Sequence, residues 1–135
     1  MRVFLDTNVV VSAVATRGLC ADVFREALAH HQLVVSEMLL EEIKTVLRAK
    51  LGVPEKIVSE VIGMLQEGSV LSKPSPLADL PIEDPTDRAL VTSALNGKVD
   101  LFVTGDRELL DLAKVGPLDI VSPRMFWERL KARPE

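Results

Sequence analysis

DPTDRALVTSALNGKVDLFVTGDRELLDL, residues 84–112, reads as a helix, a strand and a second helix in one run. Asp84 followed by Pro85 is the pattern of an N-cap with proline at the first helical position. The helix it opens should run to about Leu95 and close at Asn96–Gly97. Leu101 to Thr104 reads as a strand, and Asp106 to Ala113 as a short helix behind it. The alternation extends in both directions. RVFL at 2–5 is a strand ending at Asp6, with Thr7 and Asn8 offering turn and N-cap chemistry before the apolar VVVSAVA run. After the break at Gly18, residues 22–30 form a helix with Val23, Phe24, Ala27 and Leu28 on one stripe. Leu33 to Val35 is a strand, Ser36 caps a helix from Glu37 to about Lys50, and Pro54 opens another over 55–66. Val70–Leu71 and Ile120–Val121 are short strands, and Pro123 to Lys131 is the terminal helix.

Strands separated by helices imply parallel pairing, right-handed crossovers and helices on both faces, a three-layer α/β/α architecture. The chain of 135 residues should be a single domain spanning 1–135. The proline-rich SKPSPLADLPIEDP at 72–85 is the only long irregular stretch, of a length that often serves function. In open α/β sheets, ligands bind beyond the carboxyl ends of the strands. Asp6 and Asp106 both fall on that edge.

Composition narrows the function. Apolar residues make up 47% and charged residues 27%, a globular balance. Net charge −4 argues against holding nucleic acid by bulk charge alone, but an acidic metal site would itself make the sum negative. A single cysteine, Cys20, excludes an internal disulfide and fits a reducing, cytoplasmic setting. His30 and His31 have no Cys or His at ligand spacing, which argues against zinc, and they read as exposed residues at a helix end. No apolar run approaches membrane-spanning length, so no membrane association is expected.

Four acids stand where strands end or helices begin: Asp6, Glu42, Asp87 and Asp106. Each has an ordinary explanation. Asp6 suits an Asx-turn or cap, Asp87 a capping box, and Asp106 the N-cap of RELLDLA. Glu42 borders the stripe of Leu39, Ile43, Val46 and Leu47, whereas Glu41 faces Glu37, Lys44 and Thr45 on the solvated side. Asp84 is better explained as an N-cap, and Asp111 as an exposed helix residue. What stands out is the shared placement. Two like charges about 4 Å apart repel by roughly 4 kcal/mol at an effective dielectric near 20. Four carboxylates in one pocket, with no histidine beside them, point to a divalent cation held by oxygen ligands.

FLDTNVVVSA at 4–13, SEMLLEEIKTVLR at 36–48, the 84–112 run and VSPRMFW at 121–127 resemble the PIN-domain nucleases in order and spacing. The resemblance is strongest to the prokaryotic VapC-like group, the toxins of toxin–antitoxin pairs, and spans nearly the whole chain. It implies a parallel sheet of order 3-2-1-4-5. It also implies a ribonuclease dependent on Mg²⁺ (or Mn²⁺), with metal and catalytic ligands at Asp6, Glu42, Asp87 and Asp106. Asn8 and Thr104 would be the supporting polar residues. A small antitoxin and a second copy of the chain would be its partners.

RNA must be drawn past an acidic site by basic residues. Arg17, Lys44, Arg48, Lys50, Arg107, Arg124, Arg129, Lys131 and Arg133 are available, although solubility alone explains most of them. Trp127 fits helix packing better than base stacking. An aspartyl-phosphate phosphatase is disfavoured, because that chemistry wants a second carboxylate at position 8, which is Asn. A nuclease acting outside any toxin pair and a non-catalytic binding module remain open.

Overall fold

The computed structural model describes residues 1–76 and 78–132. The strands are β1 (Arg2–Leu5), β2 (Gln32–Ser36), β3 (Val70–Ser72), β4 (Leu101–Val103), β5 (Lys114–Val115) and β6 (Leu118–Val121). They form one sheet of order β3-β2-β1-β4-β6-β5. All neighbours are parallel except the β5–β6 pair. The five strands expected from the sequence keep the expected order. The addition is β5, a two-residue antiparallel edge strand joined to β6 by a tight turn through Gly116, whose φ is +56°. Two residues are too few to leave a period-2 pattern in the sequence.

The helices are α1 (Thr7–Ala15), α2 (Leu19–His30), α3 (Glu37–Thr45), α4 (Glu55–Gln66), α5 (Pro85–Asn96), α6 (Arg107–Leu112) and α7 (Pro123–Ala132). Right-handed crossovers from β1 to β2 to β3 put α1 to α4 on one face. The return to β4 puts α5 and α6 on the other, and α7 packs on α2. No helix among the described residues is long and apolar enough to cross a membrane. Helix α2 starts at Leu19, three residues before the sequence reading places it. Helix α3 does not run as a plain α-helix to Lys50 but ends in a π-helical turn, Val46–Lys50, in which the Leu51 N–H reaches the Val46 carbonyl at 3.1 Å. His31 is half-buried, edge-on to Phe126 with ring centroids 5.6 Å apart, rather than an exposed residue.

With few aromatics available, Val, Leu and Ile from the sheet and helices build one continuous core. At its centre Phe4 and Phe102 stack with centroids 5.2 Å apart. They lie opposite each other on β1 and β4, where Val3 pairs with Leu101 and Leu5 with Val103. That register sets Asp6 and Thr104, the residues that follow, side by side.

Helix α5 does close at Asn96–Gly97, but not through a left-handed glycine. Gly97 has φ −83°, and the left-handed residue is Lys98. Glycine is needed at 97 for space, since a Cβ there would lie 2.7 Å from Val34 Cγ1 and 3.1 Å from Ser72 Cβ. Gly97→Ala is therefore expected to destabilise the protein by about 1–3 kcal/mol in urea denaturation. Gly63→Ala, at an exposed site on α4 with open space around the new methyl, should stabilise it by about 0.5–1 kcal/mol. Equal effects would mean that packing against β2 and β3 is not what selects glycine at 97.

Candidate active site

Strand β1 lies between β2 and β4, so the chain leaves it toward one side of the sheet and later returns on the other. A crevice opens at such a switch point, beyond the carboxyl ends of the strands. Asp6, Thr7, Asn8, Val11, Ser12, Glu42, Thr45, Val46, Lys50, Asp87 and Asp106 line it around a cavity of about 550 Å³. The structure thus brings all four candidate acids to one pocket. Glu41 stays outside, exposed and paired with Lys44 at 3.1 Å. Asp84 is the N-cap of α5, accepting from the Thr86 and Asp87 N–H groups at 2.8 and 3.0 Å. Asp111 is exposed.

Asp6 anchors the pocket and is only 4% exposed. Its Oδ1 accepts from the Thr7 N–H at 2.8 Å. Its Oδ2 accepts from the Thr104 hydroxyl at 2.8 Å and from Asn8 Nδ2 at 3.1 Å. A carboxylate has about four acceptor sites, so one is left, on Oδ1. The same Asp6 side chain caps α1 and lines the cavity.

Thr104 is fully buried and links two of the acids. Its hydroxyl donates to Asp6 and accepts the Asp106 N–H at 3.0 Å. Asn8 closes the ring, its Oδ1 accepting the Gly105 N–H at 2.9 Å. Position 105 must be small, since a Cβ would lie 3.1 Å from that same oxygen. Asp106 caps α6 through Oδ1, accepting the Glu108 N–H at 2.8 Å. Glu42 reaches the pocket from α3, and its Oε1 accepts a short hydrogen bond from the Thr7 hydroxyl. From the sequence alone, Thr7 offers turn and N-cap chemistry. Its hydroxyl orients Glu42 across 35 residues of chain, a pairing with no local signal.

None of the four carboxylates is paired with a cationic side chain among the described residues. Burial pushes the Asp6 carboxyl above its ordinary value, with Glu42 and Asp106 adding to the rise against the lowering hydrogen bonds from Thr104 and Thr7. Asp87 is half-buried and is pushed up to about 6, first by burial and then by the charges of Asp84, Asp6, Asp106 and Glu42. All the donors are oxygens, which suits a hard divalent cation. Among the described residues, no three acidic, histidine or cysteine side chains close on one point tightly enough to cage an ion.

Of the basic candidates, Lys50 alone lines the cavity among the described residues. Lys44, Arg48 and Arg129 are paired with Glu41, Glu55 and Asp119, and Arg133 lies outside the described residues. Trp127 is half-buried against the core, with Lys131 over its ring at 5.6 Å.

The family model described as PIN domain matches residues 2–108, a span that includes all four acids. A chain in the crystal structure of VapBC2 from Rickettsia felis bound to a DNA fragment from their promoter superposes with a TM-score of 0.65. The match has 14% identity and covers 90% of this chain and 98% of that one. No curated protein sequence matches the chain significantly.

The pocket charges carry a pH signature. A raised pKa in the folded state means that the folded protein holds this proton more tightly than the unfolded chain does. The Asp87 contribution to stability is therefore fully present below about 3.8 and is lost as pH rises through about 6. Metal-free protein should melt at a higher temperature at about pH 5 than at about pH 7.5, and Asp87→Asn should remove much of that difference. An unchanged profile in the variant would show that Asp87 does not carry the shifted proton.

Proposed function

The chain belongs to the PIN-domain family, whose domains are nucleases, and on that footing we propose that it is a metal-dependent endoribonuclease. Its substrate would be single-stranded or loop RNA, cut by hydrolysis of a phosphodiester bond, and its role that of the toxin in a toxin–antitoxin pair. The carrying observation is the convergence of Asp6, Glu42, Asp87 and Asp106 on one cavity at the switch point of the sheet. Mg²⁺ is the proposed ion, with Mn²⁺ as the alternative.

The chemistry such an ion supplies when bound is a more acidic water and charge stabilisation on phosphate. The protein's part is placement. Asp6, with three of its acceptor sites filled, is held to one direction and keeps one acceptor site, on Oδ1, as it lines the cavity. Glu42 is oriented by Thr7, and Asp106 is fixed at the head of α6 by Thr104 and by its own capping bond. Asp87 has no such clamp on its carboxylate among the described residues. With its pKa pushed up to about 6, it is suited to holding or releasing a proton near physiological pH. No residue pattern for a nucleophilic serine or cysteine is needed.

A flexible single strand suits this pocket, because a phosphate can enter an acidic cavity without duplex walls in the way. The homodimer and the antitoxin contact are proposed on the exposed apolar side chains of Met38, Leu51, Ile57, Met64 and Leu71. Ile57 and Met64 are one heptad apart on α4. Light scattering should show twice the chain mass at high micromolar concentration; a monomer would remove the dimer and leave the nuclease reading intact.

Purified protein should cleave single-stranded RNA with Mg²⁺ or Mn²⁺, and EDTA should stop it. Glu42→Gln should lower turnover by at least about a hundredfold, since a ligand to a catalytic ion is worth several kcal/mol of transition-state stabilisation. Glu41→Gln should change it little. Equal losses for the two glutamates, or cleavage that persists in EDTA, would overturn the assignment.

A further inference from the structure

The helix that carries Glu42 ends in the π-helical turn Val46–Lys50, and the last residue of that turn lines the acidic cavity. In an uninterrupted α-helix, Lys50 would lie seven residues after Ile43 and within about 20° of it around the axis. Ile43 and Leu47 are both fully buried, so a straight helix would aim a lysine into the core stripe. A turn closed by i→i+5 hydrogen bonds holds close to one residue more than an α turn, which swings Lys50 back by about 70°. That rotation aligns it with Glu42 and Val46, and all three line the same cavity. Widened turns of this kind are frequent at functional sites.

Lys50 is exposed and makes no ion pair among the described residues, although it shares a cavity with four carboxylates. Lys44 and Arg48, the basic residues that precede it on the same helix, are committed to Glu41 and Glu55. A pocket of this charge repels a phosphodiester, and a cation on its wall offsets part of that repulsion. An ammonium serves as a point charge for phosphate without demanding bidentate geometry.

We propose that Lys50, turned out of the core stripe by the π turn, is the substrate-phosphate contact of this site. It holds a backbone phosphate of the RNA on the wall of the pocket beyond Glu42. The assignment rests on the ribonuclease reading.

The test compares Lys50→Ala, Lys50→Arg and Arg48→Ala on a short, labelled single-stranded RNA in Mn²⁺, over a range of salt. Lys50→Ala should raise KM by about tenfold, with kcat within about twofold of wild type. Its log affinity against log salt should be shallower by about 0.7, the loss of one phosphate contact to a single strand. Mn²⁺ affinity without RNA, measured by calorimetry, should not fall. Lys50→Arg should recover most of KM, and Arg48→Ala should leave the slope near wild type. Unchanged KM and slope in Lys50→Ala would overturn the assignment, as would an equal effect in Arg48→Ala, and either result leaves the nuclease reading standing. If the wild type cuts no RNA, that reading falls, and fluorescence anisotropy with the same RNA decides Lys50 alone. A loss of binding confined to Lys50→Ala would uphold the contact, and equal binding in all variants would overturn it.

Discussion

The hydrogen bond from the Thr104 hydroxyl to the Asp6 carboxylate is the constraint on which the rest of the pocket depends. An ionised carboxylate that is almost wholly buried is costly unless donors surround it. Three donors reach Asp6, and they come from two strands' ends: Thr7 and Asn8 behind β1, and Thr104 behind β4. The β1–β4 register makes this possible, because Leu5 opposite Val103 puts the next residues within reach of each other. A slip of one residue would turn Thr104 to the opposite face and leave Asp6 without its buried donor. The stacked Phe4–Phe102 pair at the sheet centre holds that register from below. Core packing and site geometry are in this sense one constraint.

The same few side chains cap helices and furnish the site. Asp6 opens α1, Asp84 opens α5 and Asp106 opens α6, each accepting from N–H groups that a helix start leaves free. Capping settles the rotamer of an acid at no extra cost in order. Asp6 and Asp106 also line the cavity, where a helix N-terminus favours negative charge. Asp87 is different, since it sits in the first turn of α5 with no hydrogen-bond clamp on its carboxylate among the described residues, and its pKa is pushed up to about 6. The fold holds three corners of the pocket through hydrogen bonds and leaves the fourth with a pKa pushed up to about 6.

How much of this was legible in the sequence follows from how local each signal is. Strand–helix alternation, the caps at Ser36, Asp84 and Asp106, and the division of labour between Glu41 and Glu42 depend on near neighbours and could be read from periodicity. Strand β5 could not, because two residues carry no pattern. The Thr7–Glu42 bond, which links residues far apart in sequence, has no counterpart in any local motif. Gly97 carries a caution of another kind. Its position at a helix end suggested backbone freedom, yet φ there is ordinary, and glycine is explained by Val34 and Ser72 pressing on the missing Cβ.

The π turn was hidden for a related reason. Residues 37–50 fit helical periodicity well, and a stripe of Leu39, Ile43 and Leu47 gives no warning that the last turn is wide. The warning is Lys50 itself. Extended at 3.6 residues per turn, the buried stripe reaches Lys50, where an ammonium would have to leave water without a partner. Either the helix stops sooner or its turn opens, and the structure takes the second course. A charge that falls on an apolar stripe is thus informative beyond a mark against the helix. It identifies where backbone geometry must bend, and here the bend delivers the lysine to the wall of the cavity that Asp6, Glu42, Asp87 and Asp106 share.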